Sequence, residues 1–190
     1  LQHRQNASIP YLDTYENQTP GKPWVYNPGF GGSSNCWWAC TPRMLPADFE
    51  LKSRYGIGRD WPIDYDELEE YYCDAEELMS VSGPSNDSPF PRSRPYPQSP
   101  HNLTDPDKLL KKGHPKHFFV QPTARARVAT KRRAPCCSTA TCRLCPINAK
   151  FTIQNEMAHL FKDSRVTLEL EASVQQVLTE AGQARGVLYK

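Results

Sequence analysis

The sequence lacks several features that define large classes of proteins. Its 190 residues contain no apolar run approaching about 20 residues, the length a membrane-spanning helix needs. It has only 10 glycines, and none forms the Gly-x-Gly-x-x-Gly turn that holds a dinucleotide pyrophosphate at a helix N-terminus. Residues 1–5 include neither an initiator methionine nor the apolar core of a secretion signal. We predict no transmembrane segment in this chain and no self-sufficient dinucleotide site.

A strong excess of charge is also absent. The net charge is +2, from 23 lysines and arginines against 21 aspartates and glutamates. One basic stretch stands out, but no aromatic residues are interleaved with it, so we predict a solvated strand face and no nucleic-acid partner. An anion-attracting wall beside a sugar-acid site is the alternative. The stretch consists of Arg125, Arg127, Lys131, Arg132 and Arg133.

Proline, by contrast, is abundant, with 18 residues, and it predicts long irregular connections. The densest segment, residues 82–103, is expected to be either a packed loop over an active site or subunit contact, or a disordered linker. A capping box of Asp64 and Glu67 predicts a longer helix. Its inner face would carry Tyr65, Leu68, Tyr72, Ala75 and Met79, and its solvated face Asp66, Glu69, Glu70, Asp74 and Glu77.

Shorter periodic segments complete an α+β prediction. Helices are expected at residues 48–55, from Asp105-Pro106 to Gly113, and at residues 146–161. Strands are expected at residues 24–26, 118–128, 166–170, 173–179 and 184–189, the last two forming a hairpin. We divide the chain at residues 1–83, 84–134 and 135–190.

The stretch Gly31–Arg43 carries the most chemistry. Two adjacent glycines allow positive φ and close approach of a ligand, and Ser33 and Ser34 add hydroxyl groups beside Trp37. Flat aromatic surface beside a glycine turn suits a planar, phosphate-bearing cofactor. An ordinary loop with a tryptophan anchored in the core fits the same residues.

Seven cysteines form the second motif, because four of them are crowded into Cys-Cys-x4-Cys-x2-Cys-Pro. Thiolates at such short spacing can converge on one soft metal centre. Zinc, a disulfide such as Cys137–Cys142, and free thiols are alternatives. A helix starting after Pro146 would add a favourable dipole for an anionic cluster.

From Gly29 onward the chain resembles the glucose–methanol–choline (GMC) oxidoreductases. The Gly31–Ser34 turn is similar to a segment that passes the FAD in that family, and Thr41-Pro42-Arg43 resembles its pyranose oxidases and bacterial sugar dehydrogenases. Further similar segments are Pro46–Phe49, Tyr55–Gly58, Arg59–Ile63, Tyr65–Leu68, Cys145-Pro146, Ala149-Lys150, Arg165–Thr167 and Ala184–Val187.

The resemblance implies an internal segment of an FAD-dependent enzyme that oxidises a CH–OH group of a sugar or polyol. The first βαβ unit would lie upstream and the catalytic histidine beyond Lys190, so we name no catalytic residue. This segment would belong to a GMC-type FAD-binding fold, with part of the substrate domain. The implied flavin contacts are Gly31, Gly32, Ser33, Ser34, Asn35, Cys36, Trp37 and, near the adenine, Val174.

The resemblance also bears on the cysteines. It implies that Cys136, Cys142 and Cys145 hold a three-iron cluster that relays electrons from FAD to a cytochrome or another acceptor subunit. Two residues separate Cys142 from Cys145, whereas the family has three at this place, so the resemblance does not fix the type of cluster. Cys36 stands where pyranose oxidases carry the histidine that bonds the flavin, so either a covalent bond or a small buried cysteine is expected there.

The sequence also allows two other interpretations. One is a stand-alone iron–sulfur or zinc module that transfers electrons or binds a partner without flavin, and the other is a non-functional truncated product. The sequence assigns no compartment. A bacterial dehydrogenase of this kind would be periplasmic or membrane-associated.

Overall fold

The computed structural model describes residues 18–19, 21–22, 27, 29–84, 86 and 88–190. Two compact units divide the chain, residues 1–156 and residues 157–190. The expected strand at residues 24–26 lies outside the described residues. No helix in the described ranges combines the length and the apolar character needed to cross a membrane.

Short helices are separated by long irregular stretches in the first unit. The α-helices are α1 (Leu51–Tyr55), α2 (Tyr65–Leu78), α3 (Asp105–Gly113) and α4 (Ile153–Glu156), with 3₁₀ turns at Gly32–Asn35 and Pro46–Phe49. The capping box predicted for α2 is present, with Asp64 accepting from the Glu67 N–H and Glu67 accepting from the Asp64 N–H. Helix α3 has the predicted bounds, and its capping box is formed by Thr104 as the N-cap with Asp107.

Helix α2 is rotated from the predicted orientation. Its buried residues are Tyr65, Cys73 and Glu76, while Ala75, assigned to the inner face, is exposed. Glu69, assigned to the solvated face, is half-buried. The reason is electrostatic, since a buried arginine, Arg43, lies against this face and attracts both carboxylates.

The Arg43 cluster is the most highly charged part of the core. The Arg43 guanidinium donates to both Glu76 oxygens, at 2.8 and 2.9 Å, and to Glu69 Oε1 at 3.0 Å. It also donates to Cys73 Sγ at 3.1 Å, and the Arg92 guanidinium donates to Glu76 at 2.7 Å. Burial alone would raise the pKa of the Glu69 carboxyl, but donors from Ser93, Cys73 and Arg43 together lower that pKa to about 2.

Extended segments meet through single bridges at the centre of the first unit. Thr123 bridges both Cys40 and Ser82, and Arg125 bridges Lys150. The predicted strand at residues 118–128 is therefore wrong, because its backbone pairs with several different segments in turn and never forms a continuous ladder.

The helix predicted at residues 146–161 is also wrong. Only Ile153–Glu156 is α-helical, and a 3₁₀ turn follows at Leu160–Lys162. Asn148 has a positive φ of 63°, and the Phe151 N–H pairs with the Ala124 carbonyl, so tertiary hydrogen bonds hold this backbone extended. No helix starts directly after Pro146, so the helix dipole expected there for an anionic cluster is not supported.

The described part of the proline-rich segment packs as a loop, which supports a packed loop over a disordered linker; its place over an active site or at a subunit contact stays a prediction. Phe90 and Tyr96 are buried, and the Phe90 ring meets Phe119 edge-on with centroids 5.9 Å apart. Gly83 and Gln98 join through a backbone hydrogen bond of 3.0 Å. A Cβ atom on Gly83 would lie 2.6 Å from the Tyr96 ring, so only glycine fits there.

The second unit is built on an antiparallel hairpin. Strand β1 (Val174–Glu180) pairs with β2 (Gln183–Tyr189) around a turn at Ala181-Gly182, close to the predicted bounds. The strand predicted at residues 166–170 is absent from this described unit. The GMC-type fold and the three-part division stay predictions.

Candidate functional site

The glycine turn adopts a backbone that its two glycines permit. Gly31 has φ 91° and Gly32 has φ 55°, and the chain continues as the 3₁₀ turn Gly32–Asn35. A Cβ atom on Gly31 would lie 2.9 Å from Asn35 Oδ1, whereas Gly32 has open space on that side. The two glycines therefore differ, with one packed against the protein and one facing open space.

Side chains of the turn fix it to residues 151–154. The Ser34 hydroxyl donates to the Gly31 carbonyl and accepts from the Ile153 N–H at 3.1 Å. The Asn35 amide donates to the Phe30 carbonyl at 2.8 Å, and the Trp37 indole N–H donates to the Phe151 carbonyl at 2.8 Å. Among the predicted flavin contacts, Ser34, Asn35 and Trp37 thus use their polar groups to hold the turn in place.

The remaining predicted contacts differ in exposure. Ser33 is exposed and Cys36 is half-buried, with the Cys36 thiol 3.6 Å from the Ser33 carbonyl. Val174 begins strand β1 in the second unit and is exposed. The polar group left toward solvent in the turn is the Ser33 hydroxyl.

A buried lysine connects this turn to the cysteine segment. Lys150 is 2% exposed, and its ammonium group donates to the carbonyls of Asn35 at 3.0 Å and Trp37 at 2.8 Å. The same group donates to the carbonyls of Cys142 at 2.8 Å and Arg143 at 3.3 Å. One cation therefore joins two segments separated by more than a hundred residues in sequence.

The crowded cysteines line one small cavity together with Arg125 and Lys150. Cys142 is buried, Cys136 and Cys145 are half-buried, and Cys137 is exposed. The three predicted ligands, Cys136, Cys142 and Cys145, are thus brought to one place. The cavity is bounded by residues 136–142, Cys145, Pro146 and Ala149 in addition to the two cations.

Each of these three sulfurs accepts a hydrogen bond from nitrogen. The donors are the Arg125 guanidinium to Cys142 at 3.1 Å, the Ala149 N–H to Cys145 at 3.2 Å and the Ser138 N–H to Cys136 at 3.5 Å. N–H donors directed at sulfur stabilise a thiolate or a metal-bound sulfur. Cys137 differs, because its thiol lies 3.4 Å from the Thr139 hydroxyl. That contact lowers the pKa of the Cys137 thiol.

Two of the alternatives for the cysteines can be compared with this geometry. All seven cysteines lie in the described ranges and all are free, so the disulfide alternative is wrong. Within those ranges no three His, Cys, Asp or Glu side chains are arranged to hold a single metal ion, which gives the zinc alternative no support. Ligands of an iron–sulfur cluster bind different iron atoms and are therefore spaced more widely than ligands of one ion.

The basic stretch is less solvated than predicted. Arg133 is buried, its guanidinium pairs with Glu156, and it donates to the carbonyls of Met79 at 2.7 Å and Ala124 at 3.2 Å. Arg125 is half-buried beside Cys142. The sequence predicts a solvated strand face here because residue types alone do not show that Arg133 has a carboxylate partner and Arg125 a thiol partner.

Lys150 and Arg125 are the site residues that the sequence analysis did not assign. Lys150 carried one sequence signal, because Ala149-Lys150 is among the segments that resemble the GMC oxidoreductases, but nothing in the sequence marked its burial. Arg125 was grouped with neighbouring basic residues that contact other groups, such as Arg127, which donates to Asn102 at 3.3 Å.

Part of the chain is similar in sequence to two proteins that are named as dehydrogenases. No protein-family model matches the chain. The chain is 37% identical over 130 residues to the fructose dehydrogenase large subunit of Gluconobacter japonicus, covering 65% of this chain and 24% of the relative. It is 34% identical over 71 residues to 2-methyl-1,2-propanediol dehydrogenase of Mycolicibacterium austroafricanum, covering 36% of this chain and 13% of the relative. The chain thus spans about a quarter or less of the length of these curated relatives. Both relatives are named as dehydrogenases, which are oxidoreductases.

Proposed function

We propose that this chain is part of a flavin-dependent dehydrogenase of the GMC type that oxidises a CH–OH group of a sugar or polyol. The observation that carries the proposal is the Lys150 ammonium, which joins the glycine turn to the cysteine cavity. Both relatives are named as dehydrogenases, one acting on fructose and one on a diol, which supports the same class of reaction.

The glycine turn fits a planar cofactor. Open space at Gly32 lets a flat ring approach the backbone, and the exposed Ser33 hydroxyl offers a polar contact at its edge. When bound, the flavin supplies the acceptor for the hydride that leaves the substrate carbon. The residues of this chain would position the flavin. Ser34, Asn35 and Trp37 hold the turn in place. The Lys150 ammonium donates to the carbonyls of Asn35 and Trp37.

The cysteine cavity fits an iron–sulfur centre in donor chemistry. Iron–sulfur centres bind soft thiolate ligands, and N–H groups commonly donate hydrogen bonds to the ligand sulfurs. Cys136, Cys142 and Cys145 would hold the centre, and it would supply one-electron transfer toward an acceptor. The words "large subunit" in the fructose relative's name are consistent with a separate acceptor subunit such as a cytochrome.

Matched glycine substitutions in the intact protein test the flavin assignment. Gly32→Ala and Gly56→Ala both place a Cβ at positive φ, 55° and 72°, with open space around it. The backbone strain is therefore similar, but only Gly32 belongs to the proposed flavin turn. We expect the FAD content per protein, measured by absorbance after denaturation, to fall in Gly32→Ala and to stay at the wild-type level in Gly56→Ala. A wild type without flavin would reject the proposal, and so would equal FAD content in the two variants.

Matched cysteine substitutions test the iron–sulfur assignment. Cys142 and Cys73 are both buried, and each accepts an arginine N–H at 3.1 Å, but only Cys142 lines the cavity with other cysteines. After anaerobic purification, we expect Cys142→Ser to lose iron, acid-labile sulfide and the EPR signal, and Cys73→Ser to keep all three. Iron and sulfide at wild-type levels in Cys142→Ser would remove the centre from this cavity.

The stand-alone cysteine module remains the second candidate, carried by the three sulfurs around one cavity. The two candidates separate when purified intact protein is assayed with fructose and with 2-methyl-1,2-propanediol, using ferricyanide as the acceptor. Iron without flavin and without oxidation of either alcohol would favour the module.

Flavin that stays with acid-denatured wild type but is released from Cys36→Ser would show a covalent bond at Cys36.

A further inference from the structure

We propose that Arg125 is a positioning residue that raises the reduction potential of the centre held by Cys136, Cys142 and Cys145. This inference rests on the iron–sulfur part of the proposed function. It assigns a role to a residue that is not itself a ligand.

The Arg125 guanidinium is directed at one sulfur. Its Nη1 donates to Cys142 Sγ at 3.1 Å, and both residues line the same cavity. Cys142 is 7% exposed, so little water competes for the sulfur or screens the positive charge beside it. Arg125 Nε is buried and has no hydrogen-bond partner among the described residues, so the guanidinium is directed to Cys142 through Nη1.

The backbone of Arg125 is fixed from both sides. Its carbonyl oxygen accepts from the Ser82 hydroxyl at 3.1 Å and lies 3.1 Å from His101 Nε2. Arg125 also forms an antiparallel bridge with Lys150, which holds the Cys142 carbonyl at 2.8 Å. The guanidinium and the sulfur are therefore attached to parts of the chain that are hydrogen-bonded to each other, and their separation is defined by the fold.

A fixed cation beside a sulfur ligand favours the more negative state of the centre. One-electron reduction adds one negative charge without making or breaking a bond in the protein. Arg125 stabilises the reduced state more than the oxidised state, so the potential rises. Removing the charge and the N–H donor must shift the potential to lower values.

Arg127 provides the matched control. It lies two residues along the same segment, is half-buried like Arg125, and donates to the Asn102 side chain at 3.3 Å. It is not among the residues that line the cysteine cavity. Arg127→Gln therefore removes the same charge from the same stretch without removing a donor to sulfur.

The test is an EPR-monitored redox titration of intact protein, with dithionite as the electron donor and ferricyanide as the oxidant. We expect a lower midpoint potential in Arg125→Gln, a smaller shift in the same direction in Arg125→Lys, and the wild-type midpoint in Arg127→Gln. A wild-type midpoint in Arg125→Gln, or an equal shift in Arg127→Gln, would overturn the proposal. If Arg125→Gln loses its iron, Arg125→Lys decides the question, and an unshifted midpoint there would overturn it.

Failure of this inference can be distinguished from failure of the proposed function. Wild type without iron and sulfide would reject the role of Arg125, while its FAD content and its oxidation of alcohols would still report on the flavin-dependent dehydrogenase.

Discussion

Two buried cations organise different regions of the first unit, and their partners differ in kind. Arg43 is surrounded by the carboxylates of Glu69 and Glu76, whereas the Lys150 ammonium donates to four backbone carbonyls. The first cluster joins α2 to the segment at Arg43, and the second joins the glycine turn to the cysteine cavity.

The difference lies in what each arrangement can respond to. Carboxylates titrate, so the Arg43 cluster depends on pH in the acid range. Carbonyls do not titrate, so their contacts with Lys150 keep the same charge on the acceptor side throughout that range. The pH-sensitive cluster is thus separate from the proposed redox region, where the partners of the cation are fixed by the backbone.

The largest expected effect comes from removing the arginine of the first cluster. Arg43→Met leaves Glu76 and Glu69 without their shared donor, and breaking a buried pair in this way costs about 3–5 kcal/mol in the free energy of unfolding. Arg54→Met is the control, because Arg54 pairs with Glu50 at the surface, and an exposed pair of that kind contributes little to the free energy of unfolding. Urea unfolding of the intact protein measures both, and similar losses in the two variants would contradict a central role for Arg43.

A smaller loss is expected at the carbonyl-bound cation. Lys150→Met removes a donor from four carbonyls, and hydrogen bonds to a charged group contribute about 1.5–3 kcal/mol. We expect a loss near that range, together with faster amide hydrogen exchange in both segments that Lys150 joins. Lys108→Met, at an exposed ion pair with Asp105, should change neither quantity. Faster exchange in only one of the two segments would contradict the bridging role.

The two clusters should also differ in how their contributions to stability depend on pH. The lowered pKa of Glu69, about 2 against an ordinary 4.5, means that its contribution to stability is present above about pH 4.5. That contribution is lost as the pH falls from 4.5 toward 2, because the unfolded chain binds the proton first. The stability difference between wild type and Glu69→Gln should therefore shrink over this interval. The stability difference between wild type and Lys150→Met should stay constant over the same interval. If both stability differences shrank together, the two clusters would not differ in their dependence on pH.

The smallest effect is expected at Cys73, the buried cysteine of the Arg43 cluster. Cys73→Ser keeps a small polar group beside Arg43 and Glu69, so we expect a change of about 1 kcal/mol in unfolding free energy. The same substitution at Cys142 should alter iron content instead. Iron loss in Cys73→Ser would show that the two thiols are not separated in function.

Sequence reasoning was accurate where local signals act alone. The α2 capping box and the β1–β2 hairpin depend on residues a few positions apart, and both are present near the predicted bounds. It failed at residues 146–161 because the extended backbone there depends on hydrogen bonds to residues far along the chain, such as Ala124. No periodicity within the segment records those partners.

The candidate site shows the same division. Spacing grouped the four crowded cysteines, and the resemblance selected Cys136, Cys142 and Cys145 among them. The fold brings these three to one cavity. The flavin contacts, by contrast, stay a prediction, with Val174 in the second unit. Arg125 and Lys150 could not be selected, because burial and the identity of a partner depend on tertiary packing and not on residue type.

The close approach of Gly83 to the Tyr96 ring has an evolutionary consequence. Because a Cβ at residue 83 would collide with that ring, a side chain there becomes tolerable only after residue 96 has become smaller. The Arg92 guanidinium stacks 3.5 Å from the centroid of the same ring, so the first substitution also removes a cation–π contact beside the Arg43 cluster. The two positions are therefore epistatic, and the order in which a lineage can change them is constrained.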